Sequence, residues 1–336
     1  VLDFYYVSLV DNKCTKASQR LAQYNLYGFP TVFFDGGYRV KVGAGSVGQA
    51  KNAYEGRIIT CGTRFVPDIE AKVNVVWLGN ATMSITVTVD NHEATAYEGH
   101  LRANITEVES SLNWKDSAGK LYKFPLLAYA FNKSISIPAG GTWKETNVWD
   151  GHDFNNGHGQ SYGNIQADNI MIIAAVFNDT VHQGYAYPPS SNPFNAYYVD
   201  ETVAAMPVDP LIADADTLPE GGGTVNIDLN AGGENDGRNY LLVGGVTGTA
   251  PGFPLPGGQA TLPINWDVFS DIVMGLLNSP VFSNFLGGLD GEGMSAAQLN
   301  SPALPPGSAG LVLYFAYCLN NPFDFASNPI EITVVP

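Results

Sequence analysis

The feature that most constrains this chain is a period of two. Met83, Ile85, Val87 and Val89 alternate with Ser84, Thr86 and Thr88. Val73, Val75 and Trp77 alternate with Lys72 and Asn74, and Leu101, Ala103 and Ile105 with Arg102 and Asn104. Successive side chains of a strand point to opposite faces, so each run predicts a half-buried strand of an antiparallel sheet. Gly79-Asn80 reads as the turn between the first two runs. Met171–Phe177 is apolar throughout and predicts a central strand. Five or more such segments separated by turn residues predict a β-sandwich over residues 63–200. Alternation returns at Val225, Ile227 and Leu229. Tyr240–Val246, Leu311–Tyr317 and Ile330–Val335 follow as further strands. Within that part Ile264–Leu277 changes to helical spacing, with Trp266, Phe269, Ile272, Val273, Leu276 and Leu277 on one side. This predicts a C-terminal β domain with one helix over 224–336. Residues 201–223, rich in Ala, Pro, Asp and Gly, offer little to bury and predict a linker.

Residues 1–62 follow a different rule. Thr15–Tyr24 predicts a helix, ended by Gly28. Pro30 then opens an apolar run, Thr31–Phe34, before Asp35-Gly36-Gly37 and a second extended run, Tyr38–Val42. Proline cannot donate to a sheet ladder and sits at strand starts or edges. Asp-Gly between extended runs predicts a hairpin. Ser46 is a suitable N-cap for a helix over Ser46–Ile59, with Val47, Ala50, Tyr54 and Ile58 on one face.

Helix, Gly-Phe-Pro-Thr, strand, turn and strand resembles the second half of a thioredoxin fold. The resemblance implies a cis Phe29–Pro30 bond and a strand at Phe4–Leu9. It also implies that the inner strand lying between Phe4–Leu9 and Thr31–Phe34, and the Cys-x-x-Cys motif after it, would fall upstream of Val1. The expectation is therefore a gap, filled either by preceding residues or by a strand from another polypeptide, since an open inner edge leaves backbone groups unpaired. The order thioredoxin-like part, then β-sandwich, resembles the twenty-eight-kilodalton outer membrane protein family over roughly residues 1–200. That family's members are exported or surface-associated and have no established enzymatic mechanism. Ala326–Pro329 followed by Ile330–Val335 is similar to a module at the C-termini of exported bacterial proteins. The expected fold class is mainly β: a partial thioredoxin-like α/β part followed by two antiparallel β-sandwich-like domains.

Charge narrows the partners. There are 32 Asp and Glu against 16 Lys and Arg, a formal charge of −16. This disfavours nucleic acid and anionic lipid. No apolar run is long enough to predict a membrane-spanning helix. Three cysteines, Cys14, Cys61 and Cys318, form no Cys-x-x-Cys. Cys14 and Cys61 flank the thioredoxin-like part and are the candidate disulfide. Cys318, in an apolar strand, reads as an inert buried thiol.

Three constellations have chemical potential. His152, Asp153 and His158 could hold a metal, although a loop rich in Asn, Gly and Asp is also ordinary turn chemistry. Glu234/Asp236 and Asp290/Glu292 lie in glycine-containing acidic loops of the kind calcium uses, without the spacing of an EF-hand. Tyr185, Tyr187, Tyr197 and Tyr198 belong to an aromatic-proline segment that either binds a partner or covers the end of the sandwich. No nucleophile–base set or phosphate loop stands out, and no cofactor is expected, with calcium the one candidate. The leading expectation is an exported or cell-surface structural or binding protein without catalysis, a subunit of an extracellular assembly or filament. Its partner would be another copy of the chain, added by strand pairing, or a cell-surface component. The alternative is a thiol-disulfide oxidoreductase whose Cys-x-x-Cys lies upstream of Val1.

Overall fold

Residues 4–336 are described by a computed structural model. They fold into two units, one of residues up to Val75 with Gly79–Pro207, the other of Val76–Leu78 with Val208–Pro336. The fold is mainly β.

The first unit begins with α1 (Thr15–Gln23), the hairpin β1 (Thr31–Phe34) and β2 (Arg39–Val42), and α2 (Val47–Cys61). Ser46 caps α2 through a reciprocal pair with Gln49, each side chain accepting from the other residue's backbone N–H. Then come β3 (Ile69–Gly79), β4 (Thr82–Asn91), β5 (Tyr97–Glu107), β6 (Leu126–Ile137), β7 (Thr142–Asp150), β8 (Ile170–Asn178), β9 (His182–Tyr187), β10 (Ser191–Ala196) and β11 (Val199–Ala205). Strands β3-β4-β7 form one antiparallel sheet and β11-β8-β5-β6 another. The apolar faces of the β4 and β5 runs are sealed, with Met83, Ile85, Val87, Val89, Leu101, Ala103 and Ile105 all buried, whereas in β3 Val75 is buried and Val73 and Trp77 only half-buried. β8 is an interior strand, as its continuous apolar run demands. The polar side of β4 is less open than its alternation predicts. Ser84 and Thr86 are buried, and Thr86 Oγ1 meets Thr146 Oγ1 at 2.9 Å across the ladder.

Two local expectations for residues 1–62 hold. The Phe29–Pro30 bond is cis, and β1 pairs antiparallel with β2 in the register Thr31↔Val42 to Phe34↔Arg39. Phe4–Leu9, however, is not a strand of that hairpin's sheet. Ser8 instead bridges to Pro125, its N–H donating to Phe124 O and its carbonyl accepting from Leu126. Tyr6 packs edge-on against Phe124 at 5.0 Å, so this segment adheres to the start of β6. The small α/β part is not a separate body either: Tyr24, Val40, Ala186, Phe194 and Ala196 share one core with Phe33 and Tyr198.

In the second unit the strands are β12 (Leu211–Ala213), β13 (Thr217–Pro219), β14 (Gly223–Asn230), β15 (Asn239–Gly245), the short pair β16 (Phe253–Pro254) and β17 (Thr261–Leu262), then, after α3 (Val268–Gly275), β18 (Phe282–Ser283), β19 (Leu286–Gly288), β20 (Met294–Ser301), β21 (Val312–Leu319) and β22 (Ile330–Val335). They make two sheets, β12-β14-β20-β18 and β13-β22-β21-β15-β19. Val225, Ile227, Leu229, Leu242, Phe315 and Ile332 fill the core. α3 is shorter than its spacing predicts, because Asp267 caps it by accepting from Phe269 and Ser270. Val273 is buried, but Trp266, Ile272 and Leu276 are exposed rather than packed.

Residues 201–223 are not a linker. They complete β11, then supply β12 and β13, which pair with β14 and, in parallel, with β22. Three-residue strands leave no periodicity to read, and β13 finds its partner more than a hundred residues later. Charge is also unevenly divided. Arg238 is the sole Lys or Arg of residues 208–336, which contain thirteen Asp and Glu. The acidity of the chain therefore belongs mostly to the second unit, and its cations to the first.

Candidate interaction surface

The Asp35-Gly36-Gly37 turn is fixed from below. Its three residues form a single 3-10 turn with positive φ throughout, 50° at Asp35 and 65° at Gly36. A Cβ on Gly36 would lie 1.8 Å from the carbonyl oxygen of Tyr197, so only glycine lets the turn approach the link between β10 and β11. The Asp35 carboxylate accepts both Nε and Nη2 of Arg64, at 2.8 and 3.1 Å, and the Val199 N–H at 2.8 Å. Arg64 Nη1 reaches Asp200 at 3.0 Å, and Asp200 also accepts from Tyr97 OH at 3.1 Å and Asn178 Nδ2 at 3.3 Å. Arg64 Nη2 donates to Val199 O as well. Burial would lower the guanidinium's pKa, but hydrogen bonds and charge from Asp35 and Asp200 raise it above its ordinary value. This clamp joins the hairpin turn, the segment after α2 and the sandwich, and none of its partnerships is near in sequence.

Above the clamp, the α/β part is half covered. β1 and β2 make a two-stranded sheet of their own. Gly43 N–H donates to Pro30 O at 2.8 Å, and the register places Val32 opposite Lys41 and Phe34 opposite Arg39. Alternation of an antiparallel ladder then turns the N–H and C=O of Val32 and Phe34 toward β2, and those of Thr31 and Phe33 outward. On the β2 side the outward carbonyl of Val40 accepts from Arg57 Nε at 3.2 Å. No second strand pairs with β1 among the described residues. Just before β1 in the chain are Phe29, 65% exposed, and Tyr27, 55% exposed, whose ring lies 4.3 Å from Tyr187. α2 has no buried residue, and Val47, at 88% exposed, faces solvent instead of lining the helix face that its spacing predicts.

The aromatic-proline segment therefore divides. Tyr187 is exposed in the ridge with Tyr27, and Tyr185 is half-buried in β9. Tyr197 and Tyr198 are half-buried; Tyr198 stacks on His182 at 4.0 Å and packs against Tyr38.

Cys14 and Cys61 do not form the expected disulfide; all three cysteines are free. Cys14 precedes α1 in the interior, its thiol donating to Leu127 O at 3.4 Å and accepting from Tyr162 OH at 3.8 Å. Cys61 ends α2 beside the clamp, where burial and then the Asp35 charge push its pKa up to about 11. Burial pushes Cys318 up to about 11 as well. His152 Nδ1 meets Asp150 Oδ1 at 2.7 Å, within a loop it shares with Asp153 and His158. Asp290 Oδ1 accepts the N–H groups of Glu292 and Met294, closing its own turn, and Glu234 lies within a short 3-10 turn that Asp236 ends. Among the described residues, no three His, Cys, Asp or Glu side chains converge as metal ligands. An open pocket of about 690 Å³ lies elsewhere on this unit, lined by Tyr6, Tyr122, Lys115, Lys120 and Lys123, the last paired with Glu109. Among the described residues no helix is long and apolar enough to cross a membrane.

No protein-family profile matches the chain, and no curated protein does. Solved structures give distant likenesses. A red sea bream transglutaminase is 11% identical, covering 88% of this chain and 34% of its own, with a TM-score of 0.22. A β-glucosidase, DesR from Streptomyces venezuelae, is 15% identical over 42% of this chain and 15% of its own, with a TM-score of 0.23. An Escherichia coli alpha-2-macroglobulin is 9% identical over 81% and 22%, with a TM-score of 0.25. The chain thus spans about a third or less of these proteins.

Proposed function

We propose that this chain is a non-catalytic structural protein of the cell surface or extracellular space, whose α/β part receives an added strand along β1. The observation that carries the reading is the open edge of β1, with the outward N–H and C=O of Thr31 and Phe33, preceded in the chain by the exposed rings of Tyr27 and Phe29. A two-stranded sheet is marginal alone and gains a third strand's hydrogen bonds and apolar cover. An extended segment laid on such an edge binds through its main chain, while its alternate side chains meet the aromatic ridge. The added strand comes from a second copy of the chain. A contact in which one copy's strand fills another's edge is heterologous and need not close, which makes an extracellular assembly or filament the natural product.

Sedimentation of the purified chain tests this. Thr31→Pro removes an outward N–H without touching the β2 ladder, and Phe29→Glu places a charge on a solvent-facing ridge. The wild type should sediment as particles larger than one chain, and both variants as folded monomers with unchanged circular dichroism. A wild type that stays monomeric at high concentration, or variants that assemble as well as the wild type, would overturn the proposal.

A further inference from the structure

The first unit contains a second group of cations with a different environment from Arg64. Arg102 lies on the outward side of β5, opposite Asn132 of β6 and Ala175 of β8. Its Nε donates to Asn132 Oδ1 at 3.1 Å, and its guanidinium carbon is 4.8 Å from the centre of the Phe177 ring. Arg20 of α1 reaches the same ring at 5.7 Å and donates through Nη2 to Tyr24 OH at 2.6 Å and through Nη1 to Gln23 at 2.8 Å. His100, one pleat from Arg102, meets the same Asn132 Oδ1 at 2.8 Å through Nε2.

All of these partners are neutral. Among the described residues neither Arg20 nor Arg102 pairs with a carboxylate, whereas Arg64 has two and Arg238 one. Nor do the terminal Nη atoms of Arg102 make a hydrogen bond to the protein among those residues. Burial, and then the charge of Arg20, push the Arg102 pKa down to about 10; burial lowers His100, to which both guanidiniums add. One ring face attracts a cation but does not neutralise two. In a chain with twice as many acids as bases, two adjacent guanidiniums and an imidazole without a carboxylate constitute an unmet demand for negative charge.

We propose that Arg20 and Arg102, with His100 at the rim, form a binding site for an oxyanion, the carboxylate or phosphate of a small ligand. The free fork of Arg102 matches two oxygens of either group, and the half-buried setting makes such charge-assisted bonds stronger than they would be in water.

The test is titration of the intact chain with inorganic phosphate and, separately, with benzoate, at constant ionic strength. The arginine Nε–H resonances are followed by NMR and the affinity by calorimetry. Saturable movement of the Arg102 and Arg20 signals with one or both probes is expected, and the tighter probe identifies the class of oxyanion. Arg20 is partly exposed on α1, so Arg20→Gln keeps the fold and should weaken binding by roughly tenfold or more. Lys115→Gln and Lys120→Gln, at the distant lysine-lined pocket, should change nothing. Shifts that grow linearly and match those produced by chloride, or an affinity untouched by Arg20→Gln, would overturn the site.

Discussion

Replacing Asp200 by alanine tests whether the clamp under the Asp-Gly-Gly turn holds the first unit together. The Asp200 side chain is 1% exposed and accepts from Arg64, Tyr97 and Asn178. Arg64, 13% exposed at its side chain, would keep its two bonds to Asp35 but lose its second carboxylate, and Tyr97 OH would lose its acceptor. Removing one partner of a buried ion pair costs about 3–5 kcal/mol. Because Asp35 still neutralises Arg64, the lower end applies, about 3 kcal/mol. For a unit of this size that lowers the melting midpoint by roughly 6–12 °C. Urea unfolding followed by tryptophan emission separates the units: Trp114 and Trp149 are fully buried in the first, and Trp266 is exposed in the second. Arg64→Met with Asp200→Ala should cost less than the sum of the two singles, because the double variant leaves no unpaired Arg64 charge. A loss below about 1 kcal/mol for Asp200→Ala, the worth of an exposed pair, would refute the reasoning.

Two further outcomes follow from single groups. Glu107 is buried on β5, and burial raises its carboxyl pKa despite the N–H and hydroxyl that Ser111 donates to it. A carboxyl raised in the folded state contributes stability that is complete below the unfolded value of about 4 and is lost as pH rises through the raised folded value. Glu107→Gln should therefore gain on the wild type progressively above that pH, and a constant difference across pH would contradict this. Chelation of calcium should move melting little, since Asp290 spends its carboxylate on its own turn; a fall of many degrees restored by calcium would make an acidic loop a true ligand set.

Local rules were legible in the chain and distant pairings were not. α1, the hairpin β1–β2 and the Ser46 cap follow from spacing, Pro30, the Asp-Gly turn and a capping residue within a few positions of each other. Apolar alternation placed Met83, Ile85, Leu101 and Ile105 in the core because a period of two can be satisfied only by a strand with one buried face. The same logic misjudged α2: helical spacing says which residues share a face, not whether anything covers it, and its Val47 is the most exposed residue of that face. Residues 201–223 were read as a linker because Pro, Gly and Asp also punctuate short strands, whose ladders are closed by residues as far away as Thr333. The clamp required Arg64 to meet Asp200 across 136 positions, and no spacing rule announces that. A single arginine amid Leu101, Ala103 and Ile105 was a visible signal for Arg102, but only the fold revealed Arg20 beside it and the missing carboxylate.

The central claim, an added strand on β1, is tested most directly by amide hydrogen exchange along Thr31–Phe34 across a concentration series. Val32 and Phe34 point into the β2 ladder and should be protected at every concentration, serving as an internal control. Thr31 and Phe33 point outward and should exchange fast in dilute protein, then become protected as particles form. Assembly without any slowing at Thr31 and Phe33 would place the contact elsewhere and contradict the account.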